Sequence, residues 1–127
     1  MFRNKYFPFY APCDFGYLMD YLSIFEVKVK KIGGEKSISN FLNCYSIVEE
    51  QIGTKILEVI KSDEYNYLVA MNARLFDLVD EVKKDTCKGK ELDDQVYLRF
   101  LAKKAVNDKF FPDSKILEQK AGYEQKS

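Results

Sequence analysis

Two short groups of acidic residues are the part of this sequence best suited to carry out chemistry. Glu49 and Glu50 lie within one apolar repeat of helical spacing, and Asp77 and Asp80 share a face of the next. Carboxylates that meet on adjacent helices can hold magnesium or manganese, and such ions activate water for phosphoester hydrolysis. One hypothesis is therefore a metal-dependent phosphohydrolase that uses these four residues. The interpretation we favour is that they are solvent-exposed charges on two outer helix faces.

Paired carboxylates on neighbouring helices resemble the metal site of the MazG-type all-α nucleotide pyrophosphatases. Glu50 and the pair of Asp77 and Asp80 stand in the corresponding positions. The sequence departs from that pattern at Gly53, where the family carries a second glutamate three residues after the first. The resemblance implies a nucleotide pyrophosphatase-like activity as the alternative function, but we do not assign the chain to this family.

The chain contains no histidine. This excludes histidine general bases, histidine metal ligands and nucleophile pairs of serine or cysteine with histidine. The cysteines are odd in number, widely spaced and without a C-x-x-C pair, so we expect buried reduced thiols at Cys13, Cys44 and Cys87. Our expectation is a protein without catalytic residues and without a cofactor.

Basic residues form a second candidate site. Arg99, Lys103 and Lys109 recur along a late helical repeat, and four lysines surround Gly33 and Gly34, namely Lys28, Lys30, Lys31 and Lys36. Twenty basic residues against twenty acidic residues give a formal net charge of zero, which removes any general attraction to nucleic acid. Lysines at helix ends are also expected from the helix dipole. We therefore interpret these residues as ordinary surface and do not expect nucleic acid as a partner.

Apolar residues that recur every three or four positions predict the fold, because this is the repeat of helices packed on helices. The sequence predicts an all-α protein, an antiparallel bundle of about four helices in a single domain over residues 1–127. The predicted helices run from the cap residue Asp14 to Gly33, from Ser37 to about Lys61, from Ser62 to about Gly89, and from Asp93 to Phe110.

Two alternatives remain open at this stage. Residues 21–38 could form a hairpin, because residues 25–30 alternate at period two before Gly33 and Gly34. Residues 38–82 could form one kinked helix, although two helices fit better because the apolar row rotates to the far side between Val59 and Leu68.

Asn72 is the polar residue most clearly placed at the edge of an apolar helix face, beside Met71. A polar group in that position needs a hydrogen-bond partner. We expect a bond across the bundle that fixes helix register, with a place in a pocket wall as the alternative.

An aromatic segment, residues 1–13, precedes the first helix, and Pro8 and Pro12 favour an extended arm. Aromatic residues make up 15% of the chain, which is more than one small bundle easily buries. The arm either covers the bundle's own core, which we favour, or reaches a neighbouring subunit. The predicted partner-binding residues are Phe2, Tyr6, Phe7, Phe9 and Tyr10. Residues 114–127 form a polar tail.

No apolar run approaches the roughly 20 residues of a membrane-spanning helix, and the N-terminus has no apolar stretch typical of a secretory signal. We therefore expect a cytoplasmic protein without membrane contact. By elimination, the predicted function is that of a non-catalytic helical-bundle interaction protein, with a homodimer or a protein partner as its assembly.

Overall fold

Five α-helices make up the described part of the chain. The computed structural model of the protein describes residues 13–84 and 89–113, and within these ranges it contains no strand. The predicted all-α class is confirmed. The arm up to residue 12, Cys87 and the tail lie outside the described residues. The helices are α1 (Phe15–Lys31), α2 (Gly34–Ile52), α3 (Lys55–Lys61), α4 (Asp63–Lys83) and α5 (Gly89–Phe110).

Helix α1 begins and ends where the sequence predicts. The carboxylate of Asp14 accepts a hydrogen bond from the backbone N–H of Tyr17 at 2.7 Å and so caps the first turn. Three lysines occupy the last turn, where they complement the carbonyl end of the helix dipole. Gly33 then adopts a φ of 73°, a left-handed conformation that favours glycine, and the chain turns into α2. The helical interpretation of residues 21–38 is confirmed and the hairpin is wrong.

The predicted second helix is divided into α2 and α3. It begins at Gly34 instead of after Ser37, because Gly33 and Gly34, with φ of 73° and 86°, complete the turn from α1. It stops at Gly53, whose φ of 64° takes the backbone out of the helical region and whose N–H bonds to the carbonyl of Glu49 at 2.8 Å. The chain resumes at Lys55 as α3. The expectation of one unbroken helix to about Lys61 is therefore wrong.

Ser62 separates α3 from α4, as the sequence predicts. Its hydroxyl oxygen accepts a hydrogen bond from the backbone N–H of Tyr65 at 3.1 Å and donates to the carbonyl of Val59 at 2.6 Å. The first bond caps α4, and acidic residues follow in its first turn. The single kinked helix over residues 38–82 is excluded.

Helix α5 begins at Gly89, four residues before the predicted start at Asp93, and ends at Phe110 as predicted. It crosses α1 closely at Gly16. The N–H of Gly16 donates to Oδ1 of Asn107 at 2.8 Å. A Cβ atom at position 16 would lie 2.8 Å from the Asn107 Cβ, so this crossing requires glycine.

Helices α1, α4 and α5 pack against one another, and α2 lies on the outside of this group. The extensive contacts of α2 are with α1 and α3, whereas α3 joins α2 to α4. The core contains side chains from all five helices, among them Met19, Leu22, Val48, Ile56, Val59, Tyr65, Leu68 and Val106. Much of α2 is therefore left at the periphery of the core.

The cysteines differ in their surroundings. Cys44 is buried in the core as predicted, and both it and Cys13 are free thiols. Cys13 is exposed, which corrects the expectation of burial, because it precedes α1 and packs under no helix.

Candidate functional site

The four carboxylates of the metal hypothesis are not brought together. Glu49 and Glu50 are exposed on α2, which packs chiefly on α1 and α3. Asp77 pairs with Lys31 across 3.0 Å, and Asp80 pairs with its helix neighbour Lys84 across 2.9 Å. Within residues 13–84 and 89–113, no group of three or more acidic or cysteine side chains is placed to hold a metal ion.

The basic candidates are largely engaged by other side chains. Lys109 pairs with Glu64 across 2.8 Å, and Lys103 is buried with its ammonium group 5.1 Å from the centre of the Tyr17 ring. Lys31, the last residue of α1, is engaged in the same way by Asp77 of α4. The exposed Lys31 and Lys109 match the interpretation as ordinary surface, whereas the burial of Lys103 contradicts it.

Asn72 instead belongs to a buried polar network between α1 and α4. Its Nδ2 donates to Oδ1 of Asp20 at 2.9 Å and to Oγ of Ser23 at 2.7 Å. The Ser23 hydroxyl donates in turn to the backbone carbonyl of Asp20 at 2.6 Å. All three side chains are buried, so these bonds replace those that water would make. The predicted hydrogen bond across the bundle is confirmed.

Arg99 extends this network to α5. Its Nη1 donates to Oδ2 of Asp20 at 3.0 Å, and the two side chains are only 19% and 6% exposed. Asp20 therefore ties α1 to both α4 and α5. The Nε of Arg99 is buried and has no hydrogen-bond partner among the described residues. An N–H donor in such a place is costly unless an acceptor reaches it.

A cavity of about 510 Å³ opens beside the network, between α1, α4 and Arg99 of α5. Asn72 and Arg99 form the polar part of its wall, with Asp80 and Lys83 also lining it. The rest of the wall is apolar and consists of Ile24, Val27, Leu75, Phe76 and Val79. The arrangement suits a compound with an apolar body and a hydrogen-bonding end.

An exposed apolar surface on α2 is the second feature of interest. We call it the α2 apolar face and define it by Ile38, Phe41, Leu42 and Tyr45. Ile38 and Leu42 are 47% and 57% exposed, while the rings of Phe41 and Tyr45 are half-buried with centroids 6.2 Å apart. This face is continuous in helical spacing with the buried Val48. The predicted partner-binding residues of the arm all lie outside the described residues.

Tyr65 and Cys44 are buried titratable groups near the centre of the bundle. Burial raises the pKa of the Tyr65 phenol far above its ordinary value, and the neighbouring Glu26, which accepts a hydrogen bond from the hydroxyl at 3.1 Å, raises it further. Burial raises the pKa of the Cys44 thiol to about 11. Both groups are protonated at neutral pH and serve packing.

Sequence reasoning did not single out Asp20 and Ser23 or the pairing of Arg99. A signal was present, because Asp20, Ser23 and Val27 are spaced by three and four and so form one row on α1. A charged residue in a row that also carries a buried valine requires a buried partner. The identity of that partner is not visible in the local pattern.

Comparison of the chain with protein-family models, with curated proteins and with solved structures gave no match. No helix in the described ranges is both long and apolar enough to span a membrane.

Proposed function

We propose that this protein is a non-catalytic interaction protein that self-associates as a homodimer through the α2 apolar face. The observation that carries the proposal is the exposure of Ile38 and Leu42 on α2. The extensive contacts of this helix within the chain are with α1 and α3. Exposed apolar side chains that adjoin half-buried aromatic rings are typical of the centre of a protein interface.

Symmetry and charge make a second copy a suitable partner for this face. A two-fold dimer places the same patch of both subunits against itself, so an apolar patch is complementary to its own copy. The formal net charge of zero means that two copies do not repel each other through their overall charge. We extend the proposal to the aromatic arm, whose five partner-binding residues would supply a second part of the interface. An antiparallel packing of the helices and a cytoplasmic location belong to the same proposal.

Sedimentation equilibrium of the full chain over a concentration series tests the proposal. The variant Ile38→Ser/Leu42→Ser replaces two exposed apolar residues and should leave the core intact. The matched control is Leu98→Ser/Leu101→Ser on α5, where the exposed fractions are 39% and 41%. We expect a dimer for the wild type and the control, and a monomer for the α2 variant. A monomeric wild type, or equal dimerisation of both variants, would contradict the proposal.

The contribution of the arm is tested in the full chain by replacing its five partner-binding residues with serine. We expect a weaker dimer, because apolar area buried between subunits is lost. Circular dichroism checks that the helices remain. If both the sedimentation mass and the stability are unchanged, the arm has no part in the assembly.

A further inference from the structure

We propose that the cavity between α1, α4 and α5 binds a small molecule with an apolar body and a single carboxylate group. This site is separate from the α2 apolar face and does not depend on self-association. The volume of about 510 Å³ lies within the range of roughly 300–1,000 Å³ that is usual for small-molecule sites.

The apolar body is indicated by the cavity wall. Five of its nine lining residues are apolar, and two of these, Phe76 and Val79, are 37% and 41% exposed. A bound hydrocarbon chain or ring would cover these two side chains and remove apolar surface from water. The buried Val27 closes the inner part of the wall.

The acidic end is indicated by Arg99. Asn72 directs its Nδ2 at Asp20 and Ser23, and Asp20 also accepts a hydrogen bond from Nη1 of Arg99. The Nε of Arg99, a residue that lines the cavity, is buried and has no hydrogen-bond partner among the described residues. A guanidinium group that presents several N–H donors is suited to a carboxylate, whose two oxygens can each accept.

The balance of charge limits the ligand to one negative charge. Asp20 compensates Arg99, and Asp80 pairs with Lys84, so the remaining charge of the lining residues is that of Lys83. A monocarboxylate would neutralise it, whereas a phosphate monoester would bring excess negative charge beside two carboxylates. The proposed ligand class is therefore an alkyl or aryl monocarboxylic acid.

Isothermal titration of the full chain with octanoate, compared with octan-1-ol, tests both halves of the proposal. The two compounds have the same hydrocarbon length and differ in the charged end. We expect octanoate to bind and octan-1-ol to bind at least about tenfold more weakly, since a charge-assisted hydrogen bond is lost. The absence of binding by octanoate, or equal binding of the two compounds, would overturn the proposal.

Two variants locate the binding at this cavity. Val79→Trp places a bulky indole ring at the cavity wall, and Leu101→Trp places the same ring at an equally exposed position that does not line the cavity. We expect V79W to abolish octanoate binding and L101W to retain it. Binding that is unchanged in V79W would place the site elsewhere and overturn the assignment.

The role of Arg99 is tested with Asp20→Asn/Arg99→Gln, which removes both charges together and leaves no unpaired buried ion. We expect the affinity of the double variant for octanoate to be about tenfold lower than that of the wild type, and so to equal the affinity of the wild type for octan-1-ol. Retention of wild-type affinity by a folded double variant would overturn the role of Arg99. If the double variant does not fold, the comparison of V79W with L101W still decides whether the cavity binds octanoate.

Discussion

Replacing Gly16 with alanine should weaken the crossing of α1 and α5. The added Cβ would lie 2.8 Å from both the Cβ of Asn107 and the carbonyl oxygen of Lys103. Ordinary contacts between such atoms are about 3.5–4.0 Å, so the helices would have to separate by up to about 1 Å. The backbone oxygen cannot rotate away as the end of a long side chain could. The separation would also lengthen the 2.8 Å hydrogen bond from Gly16 to Asn107.

The size of the effect follows from three contributions. Overpacking of this kind costs about 1–3 kcal/mol, and weakening the hydrogen bond costs about 1 kcal/mol. The higher helix propensity of alanine stabilises the folded state by less than about 1 kcal/mol, because position 16 lies in the first turn of α1. We therefore expect Gly16→Ala to lower the free energy of unfolding by about 1–3 kcal/mol.

Gly89→Ala is the matched control, because Gly89 also lies at the start of a helix and its added Cβ would meet no atom within 4 Å. Urea unfolding followed by circular dichroism gives the free energy of unfolding of both variants. We expect Gly89→Ala to be unchanged or slightly stabilised. If Gly16→Ala is as stable as Gly89→Ala, the close crossing of α1 and α5 is refuted.

Three further predictions concern the buried groups. Asp20→Ala should lower the free energy of unfolding by about 3–5 kcal/mol, because it leaves Arg99 and Asn72 without their shared acceptor; urea unfolding measures this, and a loss below about 1 kcal/mol would contradict the network. Cys44 should resist a thiol reagent at neutral pH while exposed Cys13 reacts, which mass spectrometry of the labelled peptides distinguishes. Because the folded pKa of Cys44 is raised from 9.0 to about 11, its contribution to stability is present below pH 9 and declines as the pH rises through 11. The free energy of unfolding should therefore fall less steeply with pH in Cys44→Ala than in the wild type over this range. An equal dependence on pH in the two proteins would contradict this prediction.

The sequence predicts best those features that depend on neighbouring residues. The caps at Asp14 and Ser62 were foreseeable, because a cap is formed by a side chain and a backbone N–H three residues later. The break at Gly53 was not, because a single glycine within an apolar repeat is also compatible with a continuous helix. The positive φ of Gly53 ends the helix there, and that conformation is a property of the folded chain.

The candidate site was only partly foreseeable for a related reason. Asn72 was identified by its place on the edge of an apolar row, but its partner Asp20 is 52 residues away and Arg99 is 79 residues from Asp20. Such partners are chosen by helix packing, which the local repeat does not specify. The exposure of Ile38 likewise depends on the peripheral position of α2, which the spacing of apolar residues does not specify.

Hydrogen exchange of the full-length protein at low and high concentration tests the proposed self-association most directly, because it reports both whether copies associate and which surface they use. We predict that amides of residues 38–45 become more protected at high concentration, while those of residues 98–101 on α5 do not change. Protection that is independent of concentration at residues 38–45, or that increases only on other helices, would contradict an interface at the α2 apolar face.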